Sequence, residues 1–354
     1  MPGANDLDQL VSSEVLRRRA ELGMEFAQAR PFRHVVIDGF LQPSFCSEMV
    51  DQFPDFDTKG AINENGQVGG KSTRERVRSL GPAYCRLDDM VQSADFLGLI
   101  GDITGIANLR YDPHFFGGGT HENRQGQDLD PHVDFNYHPL SRQHRRLNLI
   151  IYLNDTWSDE WGGSLQLHRD PYLPPAEDEI ITITPLRNRC VIFETNEYSW
   201  HGFERINLPP EQQHLSRKSF ALYYYTDTRP ANETAEEHST VYVERHLPDR
   251  FREGHSLDAG DVQEIRLLLA RRDQHLKRLY RNVQRLYGEV NRLKSGAGQA
   301  PGANPVRAAP QADGVAVDRM ITVLRARIHE LEHSTSWRLT APLRALKRLL
   351  AGRG

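Results

Sequence analysis

The hydrophobic pattern of this 354-residue chain changes its period once, near residue 256. Before that point the strongest apolar segments have the two-residue alternation of β-strands, and beyond it apolar residues recur at steps of three and four. The first pattern buries one face of a sheet, and the second buries one stripe of a helix. We therefore expect a β-rich domain, for which about 200 residues are enough, followed by a helical region.

Six consecutive segments follow from these patterns. The prediction is an N-terminal helix over 1–30, a β domain over 31–230, a connector over 231–256, a coiled-coil helix over 257–294, a flexible Gly-, Ala- and Pro-rich linker over 295–316, and a second heptad helix with a basic amphipathic tail over 317–354. Residues 12–29 are rich in Ala, Glu and Arg, which favours the first helix.

The face alternation is clearest over residues 147–154. One face is wholly apolar and the other carries polar groups. The apolar face is Leu147, Leu149, Ile151 and Leu153, and the other is Asn148, Ile150, Tyr152 and Asn154. A barrel whose inside carries an active site would give this pattern. A buried tyrosine whose hydroxyl any neighbour satisfies would give it too, so both interpretations of Tyr152 stay open.

Three residues have the chemistry of a metal site. His132 and Asp134 lie two apart in a predicted strand, so both side chains point to one side. His201 follows the apolar run 190–193 and a short turn. Two imidazoles and one carboxylate are the facial triad that holds non-heme Fe(II) and leaves positions open for substrate and oxygen. We predict that these three side chains bind one metal ion and are catalytic.

Arg217 begins a segment, residues 217–225, with the β-branched and aromatic bias of a buried strand. On that strand Arg217, Ser219 and Ala221 share a face, so a guanidinium and a hydroxyl point inward together. A planar guanidinium is suited to bidentate capture of a carboxylate. The sequence therefore predicts a carboxylate-binding position on this strand.

In this order the segments resemble the Fe(II)/2-oxoglutarate-dependent dioxygenases, specifically their prolyl 4-hydroxylase-like branch. The resemblance covers about residues 31–228 and rests on matching segments at 31–41, 131–135, 147–154, 161–165 and 184–193. The family prototypes often place a Lys or Arg nearer the distal histidine than the sixteen-residue interval found here. That departure leaves the loop 204–216 unexplained.

The resemblance implies a mainly β, double-stranded β-helix core of the jelly-roll or cupin type, with flanking helices. It implies that His132, Asp134 and His201 hold Fe(II), and that Arg217 binds the far carboxylate of the cosubstrate 2-oxoglutarate. Tyr152 and Ser219 would assist Arg217. Such an enzyme uses O2, converts 2-oxoglutarate to succinate and hydroxylates a C–H bond. Ascorbate is a further candidate requirement, as the reductant that keeps the iron reduced.

Two other motifs compete with this interpretation. His168 and Asp170 form a second His-x-Asp, but the Pro-rich residues 171–175 follow and indicate a turn. We therefore favour the first pair. Residues 66–72 end like a phosphate-binding loop, but the spacing of their glycines does not fit that motif, and we expect a flexible surface loop.

Three more histidines, His114, His121 and His138, flank the predicted metal strand in sequence. They are near enough to line a substrate pocket. For each of them we favour an ordinary, partly exposed histidine.

The helical region carries a heptad repeat. β-Branched residues at a and leucines at d favour two parallel strands, so we predict a homo-oligomer formed through this helix. Tyr280 and Tyr287 widen the stripe, and a helix docked on its own domain is the alternative. The seam residues are Val262, Ile265, Leu269, Leu276, Leu279, Val283, Leu286, Val290 and Leu293.

The last segment, residues 334–350, resembles a tail found on bacterial glycosyltransferases and related enzymes of surface-polysaccharide assembly. Leucines occupy one face of its predicted helix, and arginines and a lysine supply charge with no acidic residue. This composition is expected of a helix on an anionic membrane surface. A tail that binds a protein partner, such as a glycosyltransferase complex, or that is merely solvated, is the alternative.

Composition sets further limits. The formal net charge of -4 gives no basic excess that would indicate a nucleic-acid partner. Cys46, Cys85 and Cys190 lack metal-site spacing and cannot all pair, which favours a reducing cytoplasm. The N-terminus has no signal-peptide pattern, and no apolar stretch approaches the roughly 20 residues of a spanning helix. We expect a cytoplasmic protein, peripheral on the inner face of the membrane if the tail binds lipid.

The substrate stays open between two classes. The C-terminal tail favours a small molecule or glycan, such as a nucleotide-sugar or a lipid-linked precursor of bacterial surface polysaccharide. The resemblance of the core favours a prolyl residue of a protein. A different class of function is a non-catalytic, metal-bearing β-barrel that binds a sugar or acts as a scaffold.

Overall fold

The computed structural model describes residues 6–58, 61, 71–245, 247–248 and 250–296. Two antiparallel sheets form its centre, as the alternating sequence predicts. The larger sheet runs through β1 (His34–Ile37), β9 (Cys190–Glu194), β6 (His144–Tyr152), β11 (Arg217–Thr226), β4 (Gly119–Asn123) and β2 (Ser72–Arg74), and β3 (Arg110–Tyr111) also pairs with β11. The smaller sheet runs through β12 (Val241–Tyr242), β5 (Leu129–Val133), β10 (Trp200–Phe203), β7 (Leu165–His168) and β8 (Ile180–Ile183). Strands distant in sequence are neighbours in both sheets, which fits the expected jelly-roll core.

Helices flank these sheets. They are α1 (Asp6–Leu10), α2 (Ser13–Gln28), α3 (Pro43–Asp51), α4 (Pro82–Val91), α5 (Ala94–Thr104) and α6 (Ala259–Gly296), with short 3-10 turns at Val77–Leu80, Asp159–Trp161, Pro210–Gln212 and Ala231–Glu233. Helix α2 lies within the first predicted segment. The Ser12 hydroxyl caps it by accepting a hydrogen bond from the Glu14 amide.

The outer face of the larger sheet packs against helices. Leu147, Leu149 and Ile151 of β6 belong to the same buried cluster as Phe96 and Ile100 of α5. This is the wholly apolar face that the sequence predicts for residues 147–154. The polar face of β6 is left for the space between the two sheets.

The space between the sheets holds a smaller apolar cluster. Tyr152, Val191 and Phe193 of the larger sheet meet Leu165 and Leu167 of the smaller one. Tyr152 is fully buried there. The inner faces of β5, β6, β10 and β11 therefore line the interior of the barrel, where a site would be shielded from water.

Helix α6 is 38 residues long and coincides with the first predicted heptad segment. Leu269, Leu276 and Leu279 of the predicted seam are exposed, as are Tyr280 and Tyr287. The described residues up to Arg281 belong to one compact unit, and residues 282–296 belong to a second. The pairing of two such helices stays a prediction.

Several predicted features lie outside the described residues. They are the glycine-rich segment 66–70, most of the linker, the second heptad and the basic tail. The predicted connector 231–256 contributes β12 to the smaller sheet. Among the helices of the described ranges, none is long and apolar enough to cross a membrane.

Candidate metal centre

Three side chains converge between the sheets. His132 is on β5, Asp134 directly follows that strand, and His201 is on β10, where it pairs in register with His132. One ligand atom from each side chain lies within 4.8 Å of the other two. Within the described ranges this is the one group of three or more His, Cys, Asp or Glu side chains close enough to hold a metal ion. The three residues that the sequence singled out thus form a compact donor set.

The pairing of β5 and β10 depends on a close backbone approach at Gly202. A Cβ atom there would lie 2.6 Å from the carbonyl oxygen of Leu129, closer than real Cβ contacts allow. The register between the strands also shifts, so that His201 faces His132 while Phe203 faces Leu129. Because His201 and His132 lie directly opposite each other, both imidazoles are on the same face of the sheet.

Backbone carbonyls orient both imidazoles. The Nδ1 atom of His132 lies 2.9 Å from the carbonyl oxygen of Asp130, and the Nδ1 atom of His201 lies 2.9 Å from that of Ser199. Each Nε2 atom is thereby turned toward Asp134, at 3.8 Å for His132 and 3.5 Å for His201. Burial lowers the pKa of His132 to about 3 and also lowers the pKa of His201. Both rings are therefore neutral, the form that binds metal.

The carboxylate of Asp134 is held by two inward-pointing side chains of β6. The Oδ2 atom of Asp134 accepts a hydrogen bond of 2.8 Å from the Asn148 amide and lies 3.0 Å from a guanidinium nitrogen of Arg145. Burial alone would raise the pKa of Asp134, but the charge of Arg145 outweighs it and, with the hydrogen bond from Asn148, lowers the pKa below its usual range. Asp134 is thus an ionised, oriented ligand.

Arg145 is a site residue that the sequence reasoning missed. It is almost fully buried, donates to the Asn148 side-chain oxygen at 2.7 Å, and lies over the Tyr223 ring at 3.6 Å. The register between β6 and β11 skips Arg146, which leaves Arg145 paired with Tyr225. Simple two-residue alternation from Asn148 would send Arg145 outward. The bulge reverses that direction, and no turn or glycine signal marks it in the sequence.

Arg217 is buried at the start of β11. Its Nε donates to the Gly163 carbonyl at 2.6 Å, and a terminal nitrogen donates to the Tyr152 hydroxyl at 3.1 Å. Its guanidinium also lies 4.4 Å from the centre of the Phe203 ring. Burial lowers the pKa of Arg217. Among the residues that the structure describes, no carboxylate pairs with Arg217, so this buried cation lacks a counter-charge.

The two predicted helpers of Arg217 differ in their contacts. Tyr152 contacts Arg217 directly, because its hydroxyl oxygen accepts a hydrogen bond from the guanidinium. Ser219 is buried on β11 opposite Tyr152 in register, which places it on the same inner face. The structure gives Tyr152 a direct contact with Arg217 and gives Ser219 proximity only.

Two of the three flanking histidines are buried, contrary to expectation. His114 is exposed, but His138 is buried against Asp112, with 3.4 Å between its Nε2 and the carboxylate. His121 is buried on β4, and its Nε2 lies 3.2 Å from the Lys71 ammonium. Lys71 is exposed over the residue as a whole. Its ammonium group, however, is shielded from solvent, and this burial lowers its pKa to about 8. Lys71 is a second basic group at this end of the barrel that the sequence reasoning did not single out.

The second His-x-Asp motif, His168 and Asp170, makes different contacts. The Nδ1 atom of His168 lies 2.8 Å from a carboxylate oxygen of Asp178, not from Asp170. Asp170 is in the turn after β7, where its side chain accepts from the Tyr172 amide. This pair makes no metal site among the described residues.

Comparison with known proteins supports the expected family. Residues 118–225, which include all three candidate ligands and Arg217, match the model of the 2OG-Fe(II) oxygenase superfamily. A comparison with curated protein sequences finds no match. The resemblance to Fe(II)/2-oxoglutarate-dependent dioxygenases inferred from the sequence is confirmed by the family match.

Several solved structures are similar to this chain. A Trichoplax adhaerens prolyl hydroxylase bound to a hypoxia inducible factor peptide is 17% identical, with a TM-score of 0.41, over 63% of this chain and 96% of that one. A Pseudomonas putida prolyl-4-hydroxylase is 16% identical, with a TM-score of 0.36, over 58% of this chain and 98% of that one. An α-ketoglutarate-dependent epimerase from nogalamycin biosynthesis is 16% identical, with a TM-score of 0.42, over 68% of this chain and 97% of that one. Likeness at this level does not identify a substrate.

Proposed function

We propose that this chain, a 2-oxoglutarate- and Fe(II)-dependent dioxygenase by its family match, binds iron through His132, Asp134 and His201. The donor set fits the metal, because two neutral imidazoles and an ionised carboxylate leave other positions free for 2-oxoglutarate and O2. Bound Fe(II) supplies the oxidative chemistry that couples decarboxylation of 2-oxoglutarate to hydroxylation of a C–H bond. The observation that carries the proposal is the convergence of the three ligand atoms in the barrel.

Arg217 completes the cosubstrate site in this proposal. A buried guanidinium with no carboxylate partner in the described chain matches the far carboxylate of 2-oxoglutarate, which would supply the missing charge. The bonds to Gly163 and Tyr152 fix the plane of the guanidinium. Ser219, on the same inner face, would assist. The remaining N–H groups of Arg217 are those that would donate to the ligand.

The other residues of the barrel orient the ligands and keep the site dry. Arg145 and Asn148 hold Asp134 in place. The Phe193 ring packs on His201 with 4.8 Å between ring centres. A shielded site strengthens the charge interactions on which binding depends and limits competing reactions.

The test is turnover of the cosubstrate by the full-length protein. With Fe(II), O2 and 2-oxoglutarate, we expect slow succinate formation without substrate, abolished by a chelator and restored by added Fe(II). Repeating the assay with and without ascorbate shows whether the reductant is needed. Succinate formation that does not depend on iron would contradict the proposal. A protein that binds metal without any turnover would point to the non-catalytic sugar-binding or scaffold barrel.

For the substrate we propose a glycan, a nucleotide-sugar or a lipid-linked precursor of surface polysaccharide. The support is the tail sequence over 334–350, which lies outside the described residues. The alternative, a protein prolyl residue, is supported by the prolyl 4-hydroxylase-like sequence of the core. Incubation with each class and mass measurement should show the gain of one oxygen atom in one class only.

We also propose that α6 pairs with α6 of a second copy. The support is the exposure of Leu269, Leu276 and Leu279 on a helix that carries a two-stranded heptad pattern. Light scattering of the full chain should give the mass of a dimer, and a monomeric mass would contradict the pairing.

The cytoplasmic location at the inner face of the membrane is a proposal that rests on the basic tail. Its acid-free, leucine-faced sequence is the support. Removing residues 334–354 should weaken binding to anionic liposomes relative to the full chain. Unchanged partitioning would contradict a membrane role and favour a protein partner such as a glycosyltransferase complex.

A further inference from the structure

The C-terminal helix reaches the metal centre through a row of three aromatic rings. Tyr242 of β12 pairs in register with His132 of β5, and the two rings stack with 5.2 Å between centres and 28° between planes. Tyr242 also stacks on His275 of α6, at 4.8 Å and 19°. One tyrosine therefore lies between a candidate metal ligand and the helix.

Ion pairs join the same helix to the same strand region. Arg271 of α6 pairs with Asp128 and, at 2.9 Å, with Asp130. Arg245, which follows β12, pairs with Asp130 at 3.1 Å and with Asp128 at 3.6 Å. The side chains of Asp128 and Asp130 are only 4% and 6% exposed. Removing one partner of such buried pairs leaves an uncompensated charge, so the pairs constrain the backbone that carries them.

The constrained backbone is the part that orients His132. The carbonyl oxygen of Asp130 accepts the hydrogen bond from His132 Nδ1, while the Asp130 carboxylate is bound by Arg271. Two independent contacts from α6 thus converge on one imidazole. One acts on the face of the ring through Tyr242, and the other acts on the hydrogen-bond acceptor behind it.

We propose that α6 is a positioning element of the metal centre, with Tyr242, His275 and Arg271 as positioning residues for His132. The inference rests on the proposed function in one respect, the assignment of His132 as a metal ligand. Groups that fix the orientation of a metal-bound imidazole raise metal affinity, and their loss typically costs about 10–100-fold. The helix therefore contributes to metal affinity although it supplies no ligand.

The exposed seam of α6 lies on a different side of the helix from its contacts with the barrel. Leu269 and Leu276 face solvent, while Arg271 and His275 contact the barrel. Within residues 259–281 the helix thus has one face for the metal strand and another open to a partner. A partner that bends or shifts the helix would act on His132 through Tyr242 and Asp130.

The experiment measures Mn(II) affinity by calorimetric titration of the full-length protein under reducing conditions. Tyr242→Ala and His275→Ala should each weaken binding by about ten-fold, because the stack on His132 is lost. Tyr242→Phe, which keeps the ring, should stay within about two-fold of wild type. Tyr287→Ala is the matched control, since it removes an exposed tyrosine from the same helix.

A second arm tests the ion pairs. Arg271→Ala should weaken Mn(II) binding, whereas Arg266→Ala, an exposed arginine of the same helix, should not. The melting temperature of each metal-free variant is recorded, and His275→Ala carries the test if Tyr242→Ala does not fold. Wild-type Mn(II) affinity in His275→Ala and Arg271→Ala would overturn the positioning role. Unchanged binding in His132→Ala, or no binding by wild type, would overturn the metal site itself.

Discussion

The chain contains the same His-x-Asp tripeptide pattern twice, and the two copies end in opposite environments. His132 and Asp134, at β5, meet His201 inside the barrel. His168 ends β7, two strands away in the same sheet, and its imidazole binds Asp178 while Asp170 enters a turn. Identical spacing therefore gives a ligand pair in one strand and a structural contact in the other.

The difference lies in strand register. On β10, His201 pairs with Leu167 and the adjacent Trp200 pairs with His168. Neighbouring residues of a strand point to opposite faces, so His168 is on the outer face of the sheet whose inner face carries His201. A shift of one residue would exchange these roles. Tripeptide spacing alone thus carries less information than the face on which the strand presents it.

The largest expected effect comes from replacing the residues of each His-x-Asp motif by alanine. His132→Ala and Asp134→Ala should reduce iron-dependent conversion of 2-oxoglutarate to succinate by more than about a hundred-fold, because losing a ligand exceeds the 10–100-fold cost of losing an outer contact. His168→Ala and Asp170→Ala are the matched controls and should retain turnover. Full activity in His132→Ala would remove the distinction between the motifs.

The next effect concerns Arg217, the proposed binding residue for 2-oxoglutarate, whose role also depends on the face of the strand to which its side chain points. Arg217→Ala should raise the KM for 2-oxoglutarate by about 10–150-fold, from the 1.5–3 kcal/mol of a charged hydrogen bond. Lys218→Ala, the next residue of β11, changes the opposite face and should leave the KM unchanged. Steady-state kinetics at saturating Fe(II) measures both. Equal KM changes in the two variants would contradict the assignment of Arg217.

A smaller effect is expected from removing the side chains that bind the two motifs, Asn148 at Asp134 and Asp178 at His168. Asn148→Ala removes one of the two β6 side chains that hold Asp134 and should weaken Mn(II) affinity by about ten-fold. Asp178→Ala removes the partner of His168 and should lower the free energy of unfolding by about 1–3 kcal/mol without changing Mn(II) affinity. Titration calorimetry and denaturant unfolding of the metal-free proteins measure the two quantities. Loss of metal affinity in Asp178→Ala would indicate that the two motifs are coupled.

The smallest effect is in the pH dependence of metal-free stability. Burial lowers the pKa of His132 to about 3, and it also lowers the pKa of His201. The unfolded chain therefore takes up protons below about pH 6.5 that the folded state does not, so stability falls as pH falls. His201→Phe should show a shallower slope than wild type between about pH 6 and pH 4.5 in denaturant unfolding. An identical slope in wild type and variant would show that His201 binds protons equally in both states.

Part of this architecture could be predicted from the sequence. The alternation over residues 147–154 gave the outer and inner faces of β6, and the spacing of His132, Asp134 and His201 gave a donor set that the structure brings together. These features depend on local periodicity. The order of the segments then distinguished the two His-x-Asp motifs.

The rest depends on long-range geometry. Arg145 points inward only because a bulge between β6 and β11 interrupts the alternation. His121 is buried because β4 pairs with β11, a contact between residues distant in the chain. Tyr242 belongs to a two-residue strand whose role appears only when it pairs with β5. Sequence periodicity contains no signal for any of these three arrangements.

The central claim is that the metal lies among His132, Asp134 and His201, with 2-oxoglutarate anchored at Arg217. A crystal of the full-length protein grown with Mn(II) and 2-oxoglutarate tests it most directly, through the anomalous signal of the metal. The account predicts one peak within bonding distance of the three side chains, about 2.0–2.3 Å, and the far carboxylate of 2-oxoglutarate on the Arg217 guanidinium. A peak at His168 and Asp178, or a metal bound without His132, would contradict the account.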